Sequence, residues 1–413
     1  MTFPETDHSV GENTSAAVPS DRRLLSLLFT ANTAMYALYT GVAGVLLPLQ
    51  IERIDPADKV ANLGLVAGVA AIFATVFNPV AGALSDRSGR RNPWILGAGL
   101  AAIAAMALLG SVNTVLLVAI AWCLGQAVMN VYQAALTSVV PDRVPVERRG
   151  IASAAVGLGL PVGSVSGVLI ASVFAEHFRT GYLVLGTLVA VAAVLFTSGA
   201  REQRRQVTAS VPWREQVTVF LNVLREHDFR WAFIGRALLV LGYFAVVGYK
   251  LYILQDHTRL PEGLDPADGV AVLATISAVT MAFSTVVGGV LSDRLNRRKL
   301  FVALSAALAA AAQMIPVISP TWPGMMAFAA VNGLAFGCFM AVDTALVTMV
   351  LPKAEDAARD MGVLNIANAG PQILGPFVAS AVVSLGGYTA LFVVGAVLSV
   401  LGALAVAPIR SVR

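Results

Sequence analysis

The fold is decided by a short charged turn that occurs twice, as GALSDRSGRRNPW at residues 82–94 and as GVLSDRLNRRKLF at residues 289–301. Each copy concentrates an acid and several arginines in a few positions, although only 13% of the residues are charged. Asp86 corresponds to Asp293, and Arg90 to Arg297, at a constant offset of 207 residues. Each copy also lies between two long apolar runs, so the turn marks a repeated structural unit.

The sequence around these turns is strongly apolar. Of the 413 residues 57% are hydrophobic, and the mean hydropathy is +0.77. A soluble protein of this length needs more polar surface, so lipid must cover much of this chain. A helix crosses the hydrocarbon core with about 20 apolar residues. The chain therefore predicts twelve membrane-spanning helices, numbered here as spans 1–12: residues 24–48, 61–84, 94–111, 115–140, 151–175, 182–199, 231–254, 269–291, 300–318, 324–350, 361–384 and 389–409.

The basic residues predict the orientation of these spans. If the N-terminus is cytoplasmic, the cytoplasmic segments hold 22 of the 28 lysines and arginines, and the external loops hold 4. Cytoplasmic segments of membrane proteins are enriched in these residues. We therefore predict a multi-pass protein of the plasma membrane with both termini in the cytoplasm. The pI of about 9.2 then reflects topology, and we expect no nucleic-acid partner.

A second internal correspondence supports a duplicated, all-α architecture. Leu136 matches Leu346 and Arg149 matches Arg359, at an offset of 210 residues. Parallel duplication of this kind places a binding site near the middle of the bilayer, between the halves. The predicted organisation is a disordered cytoplasmic tail (1–21), a first six-helix bundle (22–200), a cytoplasmic linker (201–230) and a second six-helix bundle (231–410). Hydrophobic residues at helical spacing predict an amphipathic helix in the linker, and a solvated linker is the alternative.

Twelve spans, a six-plus-six duplication and this turn resemble the major facilitator superfamily of secondary transporters. The family signature between spans 2 and 3, Gly-x-x-x-Asp-Arg-x-Gly-Arg-Arg, is matched in full by Gly82, Asp86, Arg87, Gly89, Arg90 and Arg91. The second copy keeps Gly289, Asp293, Arg294, Arg297 and Arg298 but has Asn296 in place of the turn glycine. The resemblance implies that these residues form a cytoplasmic latch that holds the outward-open state. The alternative is an anchor that only fixes the positive side of the membrane.

Charged residues inside a span are costly and indicate function. Asp343 lies in span 10, about 12 Å from its cytoplasmic end at 1.5 Å per residue, and Arg236 lies at comparable depth in span 7. We predict that they form an intramembrane ion pair that carries a proton, with a static pair as the alternative. Lys250, Tyr252, Gln255 and Asp256 close span 7 on the outside and form a candidate external gate, although snorkelling explains Lys250 equally well.

Polar residues at helical spacing make a candidate substrate lining: Asn32, Tyr36, Tyr39, Asn130, Gln133, Asn365, Asn368 and Gln372. Some of them are expected to be interhelical hydrogen bonds and nothing more. SDRSGRRNPW (85–94), VDTALVTMVLP (342–352) and ARDMGVLNIANAGPQILGP (358–376) resemble a bacterial branch that is distantly related to sucrose and glycoside–cation symporters. Gly150, Gly159 and Gly163 of span 5 match part of the signature of drug-exporting antiporters, or reflect close helix packing.

These observations predict a transporter that moves a small organic solute by alternating access with a proton as coupling ion. The alternatives are a drug or metabolite efflux antiporter and a transporter-derived sensor without transport. The sequence shows no histidine-rich metal cluster and no nucleophile–base pair. We therefore expect no enzymatic activity, no cofactor and no metal. The expected partners are the solute, a proton and the lipid bilayer, and the expected state is a monomer.

Overall fold

The computed structural model describes residues 20–145, 148–200, 202, 226–295, 297–350 and 357–409. The predicted tail lies almost wholly outside these residues. The predicted amphipathic helix of the linker and Asn296 also lie outside them.

The described part of the first half contains α1 (Ser20–Gly41), a π-helical turn (Val42–Leu46), α2 (Leu47–Ile54), α3 (Lys59–Ser88), α4 (Asn92–Ser111), α5 (Val115–Thr137), α6 (Val139–Arg143), α7 (Arg149–Val173) and α8 (Phe178–Gly199). The second half contains α9 (His227–Val247), α10 (Lys250–Asp256), α11 (Pro266–Leu295), α12 (Arg298–Ile318), α13 (Trp322–Val350) and α14 (Ala357–Ala405). Span 7 begins at His227, four residues before the predicted start, because the polar residues at its beginning are helical too.

Eleven helices of the described chain are long and apolar enough to cross a membrane, and the last of them contains two crossings. That helix, Ala369–Ala405, has 37 residues, which at 1.5 Å per residue is about 55 Å and nearly twice the hydrocarbon thickness. Gly387 interrupts it with φ 71° and ψ −173°, a backbone conformation that requires glycine. The predicted spans 11 and 12 are therefore separate crossings, and the twelve-span all-α fold is confirmed.

Two spans are interrupted near the same side of the bundle. Span 1 changes to a π-helical turn at Val42–Leu46 before it continues as α2. Span 7 breaks at Gly248 and Tyr249, between α9 and α10. Single π-helical turns inside α-helices occur often at functional sites. These interruptions lie close to the loop that precedes Lys59, and this side is called the Lys59 end below. The opposite side, with the charged turns, is called the Arg91 end.

The two halves touch each other mainly through span 2 against α14 and through span 5 against span 8. At Gly68 of span 2, an added Cβ would collide with the ring of Phe377 of span 11. Farther along the same two helices, a Cβ at Gly82 or Gly370 would meet no described atom within 4 Å. Among the described atoms, spans 2 and 11 are therefore in contact toward the Lys59 end, and no contact is found beside Gly82 or Gly370 toward the Arg91 end.

Glycines of span 5 bring its backbone against span 1. A Cβ at Gly159 would lie 2.8 Å from Cβ of Asn32, and a Cβ at Gly163 would lie 2.5 Å from the backbone oxygen of Thr33. Real Cβ atoms do not approach other atoms that closely, so only glycine permits this packing. Close packing of spans 1 and 5 thus accounts for two of the three glycines that resemble the antiporter signature.

We predict that Gly163→Ala destabilises the protein, because the added methyl group pushes spans 1 and 5 apart. The expected loss is about 1–3 kcal/mol, the usual cost of overpacking a well-packed interior. Thermal unfolding of the purified protein in detergent or nanodiscs measures it. Gly157→Ala is the matched control, since a Cβ at Gly157 on the same helix meets nothing within 4 Å. Equal melting temperatures for the two variants would contradict the packing role.

Candidate functional site

The first charged turn is held within its own half. Gly89 has φ 62°, in the left-handed region that favours glycine at a tight turn. The side chain of Arg91 is buried and its Nε donates a hydrogen bond to Oδ2 of Asp142 at 3.1 Å. The same guanidinium donates to the hydroxyl of Ser85. Arg90 is exposed. The turn is thereby tied to the segment that follows span 4.

Glu202, which follows span 6, binds the start of the helix after this turn. Its Oε1 accepts the backbone N–H groups of Arg91 at 2.7 Å and of Asn92 at 3.1 Å. A carboxylate at a helix N-terminus satisfies unpaired amides and is favoured by the helix dipole. Arg143 donates to Oδ1 of Asn92 at 2.9 Å. Burial lowers the pKa of the Arg143 guanidinium, while the charges of Glu202 and Asp142 oppose that change.

The other predicted latch residues are only partly described. The side chains of Asp86 and Arg87 lie outside the described part of the structure. In the second copy, Nη2 of Arg298 lies 2.9 Å from Oδ1 of Asp293. Arg294 and Arg297 are exposed at this turn. The role of the two turns as a latch stays a prediction.

Arg236 and Asp343 lie against each other in the interior of the second half. Nη1 of Arg236 is 2.8 Å from Oδ2 of Asp343, and the two residues are 5% and 2% exposed. The distance is that of a close ion pair, although the two atoms do not form an aligned hydrogen bond. Nearby, the ring of Tyr243 stacks on Phe336 with centroids 3.8 Å apart. An ion pair and an aromatic pair thus join spans 7 and 10.

Two asparagines of the predicted lining are buried and bonded to their own helices. Nδ2 of Asn32 donates to the backbone oxygen of Leu28 at 2.8 Å, and Nδ2 of Asn130 donates to that of Gln126 at 2.7 Å. Oδ1 of Asn32 is buried and has no hydrogen-bond partner in the described structure. These contacts leave one acceptor of span 1 unused.

The remaining lining candidates differ in exposure. Tyr36, Tyr39 and Gln133 are half-buried, and Gln372 is exposed. The side chains of Asn365 and Asn368 lie outside the described residues. The eight candidates are therefore not brought into one described cluster.

The Lys59 end carries a charged cluster that joins the two halves. Nζ of Lys59 lies 2.8 Å from Oε1 of Glu52 in the first half and 2.9 Å from Oδ1 of Asp256 in the second. Nε2 of Gln255 donates to Oε2 of Glu52 at 2.9 Å, and the hydroxyl of Tyr388 donates to Oδ2 of Asp256 at 2.8 Å. One lysine is therefore shared between carboxylates of opposite halves.

Two buried tyrosines of span 7 reinforce this closure from inside. The hydroxyl of Tyr252 donates to the backbone oxygen of Pro48 at 2.8 Å, and that of Tyr249 donates to the backbone oxygen of Val60 at 3.1 Å. Nζ of Lys59 also lies 4.8 Å from the centroid of the Tyr252 ring. Each such contact contributes about 0.5–1.5 kcal/mol, so the cluster stabilises the closed end by a few kcal/mol.

The comparison with known families identifies the chain. The family model described as Major Facilitator Superfamily matches residues 25–265 and again residues 262–412. The chain belongs to the major facilitator superfamily. The resemblance drawn from the charged turn is thereby confirmed, as is the duplication into two halves. The protein is a multi-pass membrane transporter of this superfamily.

Relatives and solved structures agree with this membership. The chain is 25% identical over 350 residues to the multi-drug resistance efflux pump PmrA of Streptococcus pneumoniae, covering 80% of this chain and 81% of the pump. It is 26% identical over 340 residues to the uncharacterized MFS-type transporter YtbD of Bacillus subtilis, covering 79% and 80%. A bacterial homolog of the human lysosomal transporter Spinster has a TM-score of 0.76 at 15% identity, covering 96% and 98% of the two chains. The peptide transporter POT has a TM-score of 0.75 at 13% identity, covering 93% and 94%. These two structures share the fold.

The sequence predicts only part of the charged cluster at the Lys59 end of this transporter. Of the four gate residues predicted from the sequence, Tyr252, Gln255 and Asp256 contact this cluster. The sequence does not predict Glu52, Lys59 and Tyr388 as members of the gate. Their partners lie far away in the chain, so no local spacing reveals the pairing. The available signal was weak: Glu52 and Lys59 flank the first predicted external turn at a separation of seven residues.

We predict that Lys59→Met opens the Lys59 end, because it removes the shared cation and leaves Glu52 and Asp256 to repel each other. If the substitution destabilises the closed state by about 1.4 kcal/mol relative to the open state, the open-to-closed ratio rises about tenfold. Spin labels at Asp58→Cys and Glu262→Cys, in a variant without native cysteines, report the distance across this end by pulsed electron paramagnetic resonance. The population of long distances should increase.

Arg53→Met is the matched control for this measurement. Arg53 lies at the same end and carries the same charge, but its guanidinium donates to the backbone oxygens of Ala175 and Glu176 within the first half. The control should leave the distance distribution unchanged. If both variants shift it equally, net charge rather than the cross-half contact determines the closure.

Proposed function

We propose that this transporter moves a small organic solute between its halves by alternating access, driven by a proton gradient. Cross-half contacts at the Lys59 end, together with the free space beside Gly82 and Gly370, support one of the two conformations that such a cycle needs. The excess of basic residues supports a cytoplasmic position for the Arg91 end. In that orientation the present conformation faces inward.

The observation that carries the coupling proposal is the buried contact of Asp343 with Arg236. Desolvating two charges costs several kcal/mol per ion, and an ion pair in this position does not by itself stabilise a fold. Its position in two spans that line the central cavity in this superfamily favours a functional role. A carboxylate next to an arginine binds a proton when its exposure to water or its distance to the arginine changes.

The location of the pair restricts how coupling works. Both residues belong to the second half, so a rigid rocking of one half against the other does not pull them apart. We therefore propose that water entering beside spans 7 and 10, as the cavity changes sides, separates the ions and lets Asp343 exchange its proton. A static pair that only joins the two spans is the competing interpretation, and the double variant described below separates the two.

Export of a drug-like compound is the second candidate function. The resemblance to a protein named as a multi-drug resistance efflux pump, at 25% identity, favours it. The fold alone selects neither substrate nor direction.

The charged turns are proposed as the latch of the opposite, outward-facing conformation. In that conformation spans 2 and 11 have to approach at the Arg91 end, where the space beside Gly82 is now empty. The contact of Arg91 with Asp142 and the bonds of Glu202 keep the turn in shape for that approach.

We predict that Gly82→Leu stops the cycle without destabilising the protein, because the new side chain fits the present conformation and blocks closure of the Arg91 end. The spin-label pair at the Lys59 end should then report only the short distance of the closed state. The melting temperature of Gly82→Leu should match that of the wild type. Gly97→Leu is the control, since a Cβ at Gly97 of span 3 likewise meets nothing within 4 Å. An unaltered distance distribution in Gly82→Leu would exclude the latch.

We predict that Asp343→Asn reduces the accumulation of solute against its gradient at least about tenfold when a pH gradient is imposed. Exchange of solute across the membrane should persist. Asparagine neither binds nor releases a proton at neutral pH, so the solute loses its driving force. The measurement uses proteoliposomes and a solute selected by ligand-induced thermal stabilisation of the purified protein.

The double variant Arg236→Gln, Asp343→Asn distinguishes coupling from a static pair. Neutralising both residues removes the unpaired buried charge that a single substitution leaves. The double variant should therefore have a higher melting temperature than either single variant. If the pair is static, uphill transport returns with stability. If Asp343 carries the proton, the double variant is stable and exchanges solute, but it does not accumulate it.

A further inference from the structure

Lys250 occupies an interior position close to the closed end of the transporter. It begins the short helix Lys250–Asp256, six residues before the acid that contacts Lys59, which is about 9 Å along the helix axis. Its neighbours Tyr249, Leu251, Tyr252, Ile253 and Leu254 are each 1% exposed or less. Successive residues of a helix point about 100° apart, so this run covers every direction. The segment is therefore surrounded by protein, and snorkelling to a lipid interface does not explain Lys250.

The ammonium group of Lys250 has no partner in the described structure. The side chain is half-buried, and it makes no hydrogen bond, ion pair or ring contact with the described residues. By contrast, Lys59 at the same end is shared between two carboxylates. An unpaired charge inside a membrane protein is expensive and persists where function requires it.

Small residues leave open space around this segment. The π-helical turn of span 1 contacts the helix that Lys250 begins. In that turn Ala43 is exposed although Val42 and Val45 beside it are fully buried, and Gly248 of span 7 is exposed as well. Exposed surface on segments that protein encloses faces an internal space. Tyr36 and Tyr39, half-buried on the same span as Ala43, precede it by about two helical turns and one helical turn, respectively.

We propose that Lys250 binds the anionic group of the transported solute, so that the substrate is a small organic acid or zwitterion with a carboxylate or phosphate group. This inference rests on the proposed transport function and specifies its substrate class. A lysine ammonium binds either group through charge-assisted hydrogen bonds. Tyr36 and Tyr39, on the span that contacts the Lys250 helix, offer aromatic surface and hydroxyl donors for the remainder of the molecule. A lipophilic cation without an acidic group is repelled at this position.

The experiment compares Lys250→Met with the wild type and with Lys250→Arg by thermal unfolding of the purified full-length protein. Benzoate, phenyl phosphate and phenylalanine serve as acidic or zwitterionic probes, and benzamide and benzylamine serve as neutral and cationic probes of similar size. All titrations are made at constant ionic strength. The acids should raise the melting temperature of the wild type and of Lys250→Arg. In Lys250→Met, apparent affinity should fall by about 10- to 100-fold, the value of one hydrogen bond to a charged group.

A measurement without ligand provides an independent result. Removing an unpaired interior charge should raise the melting temperature of Lys250→Met above that of the wild type, whereas loss of a structural contact would lower it. The inference is wrong if no acid stabilises the wild type more than the variant, or if benzylamine alone stabilises it. The spin-label assay of alternating access needs no ligand. A transporter that alternates normally but ignores the acids therefore refutes only the role of Lys250, and one that does not alternate refutes the proposed function.

Discussion

The structure depends on one constraint: the hydrocarbon core offers no hydrogen bonds to a polypeptide. Every backbone amide there must bond within its own segment, and this condition selects helices throughout the spans. The same constraint explains why helices meet through glycines. Apolar side chains gain little by leaving lipid for protein, so association depends on close contact, such as that of Gly163 with the backbone of Thr33.

The constraint also sorts the charges of this protein into two groups. Most lie at the ends of the bundle, where water and headgroups solvate them and where contacts form or break at modest cost. The Lys59 cluster joins the halves at one end, while the Arg91 contacts with Asp142 and Glu202 stay within one half at the other. A conformational cycle needs this asymmetry, since contacts that stabilised both ends at once would hold the halves in a single state.

The fold follows from local sequence features, but much of the site does not. Spans of about 20 apolar residues and a duplicated turn are local features, and they predicted the twelve crossings. Residues Glu52, Lys59 and Tyr388 meet only because distant spans pack in one arrangement, which no spacing encodes. Asp343 was found because an acid inside an apolar run is conspicuous on its own. The split between spans 11 and 12 was predicted from length, although the structure alone reveals that Gly387 makes the reversal.

The location of Lys250 follows from the structure but not from its sequence context. A lysine six residues from the end of a span has the same sequence context whether it snorkels to the interface or points into a cavity. Because its neighbours are buried on all sides, Lys250 lies inside the protein and not at the lipid interface. Within the described spans, the interior charges are then those of Arg236, Asp343 and Lys250, and the first two offset each other. One positive charge remains, and in a medium of low dielectric constant it acts over a long range. A solute that brings a negative charge neutralises the cavity, so substrate binding and charge balance favour the same class of molecule.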